Sequence, residues 1–149
     1  MQEIGRIDSR GRFNLLPRWT ARLSWFPAQI PNGYLMLMTF AESGRVFLDD
    51  WNVVGSRIAD LCMRLSGNED SESAETLRIL IDRYQRLSIN SERRPCLGEA
   101  ALVHLGLPLN SQNDQAIYVV VANNRVELVS PENRKSRSAL TQHLDDWLP

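Results

Sequence analysis

A chain of 149 residues, 43% of them hydrophobic, carries enough apolar material for one domain of ordinary size or for two small halves sharing a core. A formal net charge of -1 gives no global attraction to nucleic acid, so any such role has to rest on a local patch. No apolar run of about 18 residues and no signal-peptide pattern occur, which points to a soluble cytoplasmic protein with no membrane partner.

Taken in order, residues 4–7 and 13–16 are short apolar segments on either side of Asp8-Ser9-Arg10-Gly11-Arg12. Gly11 accepts positive φ and Asp8 or Ser9 can bond back to the turn backbone, so a hairpin presenting Arg10 and Arg12 on an exposed loop is expected. Five arginines, Arg6, Arg10, Arg12, Arg18 and Arg22, face only Glu3 and Asp8 in this opening stretch. Residues 17–23 predict a short helix with Trp19 and Leu23 on one face, broken by Pro27, Pro31, Asn32 and Gly33. Residues 34–40 are an apolar run of strand length, 42–44 a turn, and 45–48 the partner strand.

Asp49 or Asp50 caps a helix in which Trp51, Val54, Ile58, Leu61, Cys62 and Leu65 keep helical spacing up to Gly67. Beyond the acidic stretch 67–75, Leu77, Leu80, Ile81, Tyr84 and Leu87 predict a second amphipathic stripe. Both stripes suit core or subunit packing. Cys62 and Cys96 are far apart, without C-x-x-C spacing or a nearby histidine, so they read as buried thiols in a reducing compartment and not as a disulfide or metal set.

From residue 89 the opening pattern returns. Residues 89–94 lie over 7–12 at an offset of 82 (89 minus 7), placing Asn90 over Asp8, Arg93 over Gly11 and Arg94 over Arg12. A short helix over 95–105 follows, then a strand over 115–122, an Asn123-Asn124 hairpin turn and a partner strand over 125–129. Arg125-Val126 lies over Arg45-Val46 at an offset of 80 (125 minus 45). Ser130 caps and Pro131 opens a last helix with Leu140, Leu144 and Trp147 or Leu148 on one face. A repeat of two units argues for pseudo-equivalent halves, and their few strands leave edges that favour pairing between halves or subunits. The divisions are 1–66, a first half with its helix; 67–88, a connecting linker and helix; and 89–149, a second half with a C-terminal helix.

Asp8-x-x-Gly11-Arg12 followed by Leu-Pro, its partial copy, and Val-Val-Ala-Asn-Asn-Arg-Val-Glu-Leu-x-Ser-Pro-Glu near the end resemble MraZ, a family of bacterial regulators built from two SpoVT/AbrB-like half-domains. The likeness in order and size spans nearly the whole chain. It implies an α+β fold in which two swapped-hairpin half-domains form a small β-barrel with flanking helices. It also implies ring-shaped homo-oligomers and contact with repeated promoter DNA boxes through the Asp-x-x-x-Arg loops, in the cytoplasm at the nucleoid. By position, the DNA-contacting residues would be Asp8, Arg10 and Arg12 in the first loop and Arg93 and Arg94 in the second. Asn90 in place of the acid, Arg93 in the glycine slot and Pro95 after it predict that the second loop has lost the first loop's geometry.

Arginine suits this chemistry because its planar fork offers parallel donors to guanine or phosphate. The plainer expectation is that Asp8 pairs with Arg12 to close the turn, and the two roles are compatible. Arg134, Lys135 and Arg137 form a second basic cluster that suits a solvated face, and Trp19, Trp25, Trp51 and Trp147 suit core or interface. His104 and His143 have no nucleophile or acid in a catalytic pattern, and no phosphate-cradling loop or metal spacing occurs, so no enzyme, cofactor or metal is expected. Two other functions fit the same pattern: an oligomeric protein-interaction module that has lost DNA binding, and an antitoxin-like regulator.

Overall fold

Alternating exposed and buried side chains make Gln2–Ile7 a half-buried strand, β1, and the same alternation recurs in Tyr84–Ile89, β4. These two strands lie 82 positions apart (84 minus 2). The computed structural model describes residues 1–41, 44–109 and 112–131. Between β1 and β4 lie α1 (Pro17–Thr20), β2 (Tyr34–Ala41), β3 (Arg45–Asp50), a π-helical turn (Trp51–Gly55), α2 (Ser56–Ser66) and α3 (Ser71–Arg83). After β4 come α4 (Glu99–His104), β5 (Gln115–Ala122) and β6 (Arg125–Val129). The last helix expected beyond Pro131, with Arg134, Lys135, Arg137, His143 and Trp147, lies outside the described residues.

The six strands form one antiparallel sheet in the order β1-β5-β6-β3-β2-β4. The order is unchanged when β1, β2 and β3 are exchanged for β4, β5 and β6 and the sheet is read from its other end. Each hairpin receives the first strand of the opposite segment: β2 pairs with β4 from Tyr34↔Ile89 to Thr39↔Tyr84, and β5 pairs with β1 from Gln2↔Val120 to Ile7↔Gln115. The sheet is open and not the small closed barrel expected, because β1 and β4 stand at opposite edges. What joins the two edges is short. Leu15 and Phe13 donate to the carbonyls of Arg93 and Pro95, and Leu97 donates to that of Gly11. Thus residues 13–15, expected to return along β1, make a single bridge to it at Ile7↔Phe13 and otherwise pair with the second loop.

One sheet face carries the core, including Ile7, Met36, Val46, Leu48, Ile117 and Leu128, closed by Phe13 and Trp19 stacked with ring centroids 5.7 Å apart. The β5–β6 turn places Asn123 and Asn124 at φ 54 and 60, as a two-residue hairpin requires. Asn124 then clasps the first half, accepting from the Ser24 N–H through its side chain and from the Trp25 indole through its carbonyl, each at 2.7 Å.

The helical connection departs from expectation in two ways. The stripe through Tyr84 and Leu87 ends as a helix at Arg83, and both residues belong to β4, so the connection within 67–88 gives way to the sheet at Tyr84. Neither α2 nor α3 has a buried residue: Met63 is 74% exposed and Ile81 56%, so this chain alone does not supply the core packing their spacing suggested. The thiols differ too. Cys62 sits partly exposed on α2 and Cys96 is exposed beside the first loop, both free and neither buried.

Gly5 marks the tightest packing under the aromatic stack. A Cβ there would stand 2.9 Å from Val119 Cγ2, 3.1 Å from the Phe13 ring and 3.2 Å from the Trp19 ring. Overpacking of this kind costs about 1–3 kcal/mol. Gly5→Ala is expected to lower the unfolding free energy by that amount, read in equilibrium unfolding as a lower urea midpoint with an unchanged m value.

Candidate nucleic-acid interface

Asp8 organises the first loop because its short side chain sits where a turn leaves N–H groups without partners. Its backbone N–H donates to the Arg12 carbonyl and its carbonyl accepts from the Gly11 N–H, both at 3.0 Å. Its Oδ1 accepts from the N–H groups of Arg10 and Arg12, both at 2.9 Å, and its Oδ2 accepts from Arg12 Nε at 2.7 Å. Gly11 permits the turn with φ 80, and a Cβ there would lie 3.1 Å from the Gly98 nitrogen.

A fourth side-chain contact reaches across the repeat. Arg94 Nη2 lies 3.4 Å from Asp8 Oδ2, so one carboxylate, 13% exposed, holds arginines from both loops. The expected pairing of Asp8 with Arg12 is therefore present, and Arg94 joins it. Arg10 is exposed, and its guanidinium has no partner among the described residues. Arg12 and Arg94 thus meet at one acid, and Arg10, on the same loop, is tied to it by its backbone N–H. Arg18 is occupied elsewhere, gripping Glu3 through Nε and Nη2, while the Trp19 indole donates to the same carboxylate.

The second loop keeps more of the first loop's geometry than its residues suggested. The Asn90 carbonyl accepts from the Arg93 N–H at 3.1 Å and its Oδ1 from the Glu92 N–H at 3.0 Å, and Arg93 takes φ 58 in the glycine slot. Asparagine offers the same Oδ1 acceptor as aspartate, which is why the turn survives the exchange. Pro95 is accommodated because its carbonyl is the group that meets Phe13; its missing N–H removes only the return bond. The loss is narrower: among the described residues nothing ties Arg94 to Asn90, and Arg94 turns to Asp8 instead.

Arg93 does not join the cluster. Its Nη1 donates to Thr20 Oγ1 at 2.7 Å and its guanidinium carbon lies 5.4 Å from the Phe26 ring centroid, so it faces the segment after α1. The Arg94–Asp8 contact and the inward course of Arg93 both lie outside what the sequence predicts. Only the second had a signal there, since a residue in a glycine slot at positive φ sends its side chain away from its neighbour's course. Cys96, bridged to Arg12 and donating to the Arg10 carbonyl at 3.3 Å, also borders the face. His104 is a packing residue, bonded to the Ala41 carbonyl and set against Phe40. Among the described residues no group of three His, Cys, Asp or Glu could hold a metal, and no helix is long and apolar enough to cross a membrane. Compared with protein families and with curated proteins, the chain matches none.

Burial opposes the charge on Asp8, but the N–H and guanidinium donors of Arg12 and the N–H of Arg10 outweigh it and hold the carboxyl below its ordinary 3.8. Its contribution to stability is therefore full above the ordinary aspartate range and fades as pH falls through the lowered native value. Asp8→Ala removes every side-chain bond and is expected to cost about 1–3 kcal/mol at pH 7. Asp8→Asn, which keeps Oδ1, should cost less. Urea midpoints of wild type and Asp8→Ala are expected to differ most at pH 7 and to converge below pH 3.8.

Proposed function

We propose that this protein is a sequence-specific DNA-binding transcriptional regulator of the MraZ kind, acting as a homo-oligomer of chains that each pair two swapped-hairpin half-domains. The observation that carries the reading is the Asp8 carboxylate, which sets Arg12 and Arg94 side by side although they stand far apart in the chain. A loop whose acid is fixed by backbone bonds and holds two arginines, with Arg10 exposed beside it in the chain, offers planar donors to base edges and phosphates. Asp8 is the support, Arg10 and Arg12 the principal contacts, and Arg94 a third from the second loop.

A near-neutral chain with a few such arginines binds weakly alone, because each neutralised phosphate contributes a modest, salt-dependent amount. Several copies along adjacent repeats would multiply that affinity through effective concentration. The exposed apolar residues of α2 and α3 are consistent with self-association, and they equally favour the second reading, an oligomeric protein-interaction module.

The deciding measurement is a titration on fragments selected from genomic or random DNA at several salt concentrations. Wild type is expected to enrich a repeated box. Arg10→Ala/Arg12→Ala should weaken binding by tenfold or more and flatten the salt slope by about 2. Unchanged affinity and slope in the double variant would defeat the assignment, and absence of any enrichment by wild type would favour the interaction module.

A further inference from the structure

The second loop has a reverse side. Behind it, a cleft of about 360 Å³ runs between Arg93 and the residues that follow α1, with Leu23, Phe26 and Pro27 among its walls and Thr20 at the arginine. That volume falls within the roughly 300–1,000 Å³ of small-molecule sites.

Arg93 differs from the other half-buried arginines. Arg12, Arg45 and Arg125 each meet a carboxylate, at 2.7, 3.2 and 2.8 Å. Arg93 meets none among the described residues. Its Nη1 is engaged by Thr20 Oγ1, whose own hydrogen goes to the Pro17 carbonyl, and the Phe26 ring lies against its guanidinium. Nε and the other terminal nitrogen have no protein partner among the described residues. A guanidinium held in place by one hydrogen bond and one ring, with a two-donor edge unused beside apolar walls, is preorganised for a planar anion.

We propose that this cleft binds a small carboxylate with an apolar body. The two oxygens match the parallel donors of the Nε edge, and the body lies against Phe26, Leu23 and Pro27. One cation in an apolar cleft suits a monoanion; a phosphate dianion would bring a second charge that nothing there compensates. The proposal does not rest on DNA reading, and its test contains no DNA.

The probes are sodium phenylacetate and its neutral counterpart 2-phenylethanol, titrated into the full chain and followed by NMR at Thr20, Phe26 and Arg93. Phenylacetate is expected to saturate in the low-millimolar range or below. The alcohol should bind at least tenfold more weakly. Arg93→Gly, which puts at φ 58 the residue that tolerates it best and that the first loop already uses, should retain the fold and weaken phenylacetate at least tenfold. The proposal is overturned if wild type shows no saturable response to phenylacetate at millimolar concentration. It is equally overturned if the alcohol binds as well as the acid, a comparison needing no variant, or if Arg93→Gly binds phenylacetate as wild type does.

Discussion

A strand must find a partner for its backbone, and in this chain β4 finds its ladder in a hairpin about 50 residues away and β1 in one more than 100 residues away. The other features of the sheet follow from that obligation. Because β1 lies on β5 and β4 on β2, the loops that leave β1 and β4 come to adjoining places, and residues 11–15 and 93–97 complete their hydrogen bonds on each other. Asp8 and Arg94 meet as a result of sheet register, with no local motif joining them.

The charged face inherits its order from this arrangement. A turn held only by its own residues would leave two mobile arginines. Here the Asp8 carboxylate is fixed by two backbone donors before it receives any guanidinium, and the strand pairing behind it limits how far either loop can move. The same carboxylate that orders Arg12 and Arg94 also offsets part of their charge. Arg10, left without an acid, is then the most available cation on the face, while Arg12 and Arg94 present what remains of their forks.

Much of the fold was legible where one residue type answers one geometric demand. Asn123-Asn124 announced a two-residue hairpin because asparagine tolerates positive φ, and the apolar runs of β2 and β5 left no alternative to buried strands. The passage from α3 to β4 was not legible. Leu77, Leu80, Ile81, Tyr84 and Leu87 satisfy helical spacing past the helix end, no glycine or proline marks the stop, and only the demand of β2 for a partner decides it. The site was half visible. Asp8 with Arg12 is a local pattern, whereas Arg94 with Asp8 depends on register between distant strands. Arg93, which the resemblance places among the DNA-contacting residues, is directed by its backbone conformation to Thr20 and Phe26 instead.

The exchange of first strands between hairpins also bears on how the chain is made. During synthesis β1 emerges ahead of the other strands but has no ladder partner until β5, more than a hundred residues later, has left the ribosome. The hairpin β2–β3 meanwhile has its β2 edge open to β4, the next strand in the chain. Contacts this distant along the chain slow folding and prolong the exposure of unpaired edges. The loop bearing Arg10 and Arg12, though translated ahead of the other strands, therefore completes its hydrogen bonds only when residues 93–97 reach it.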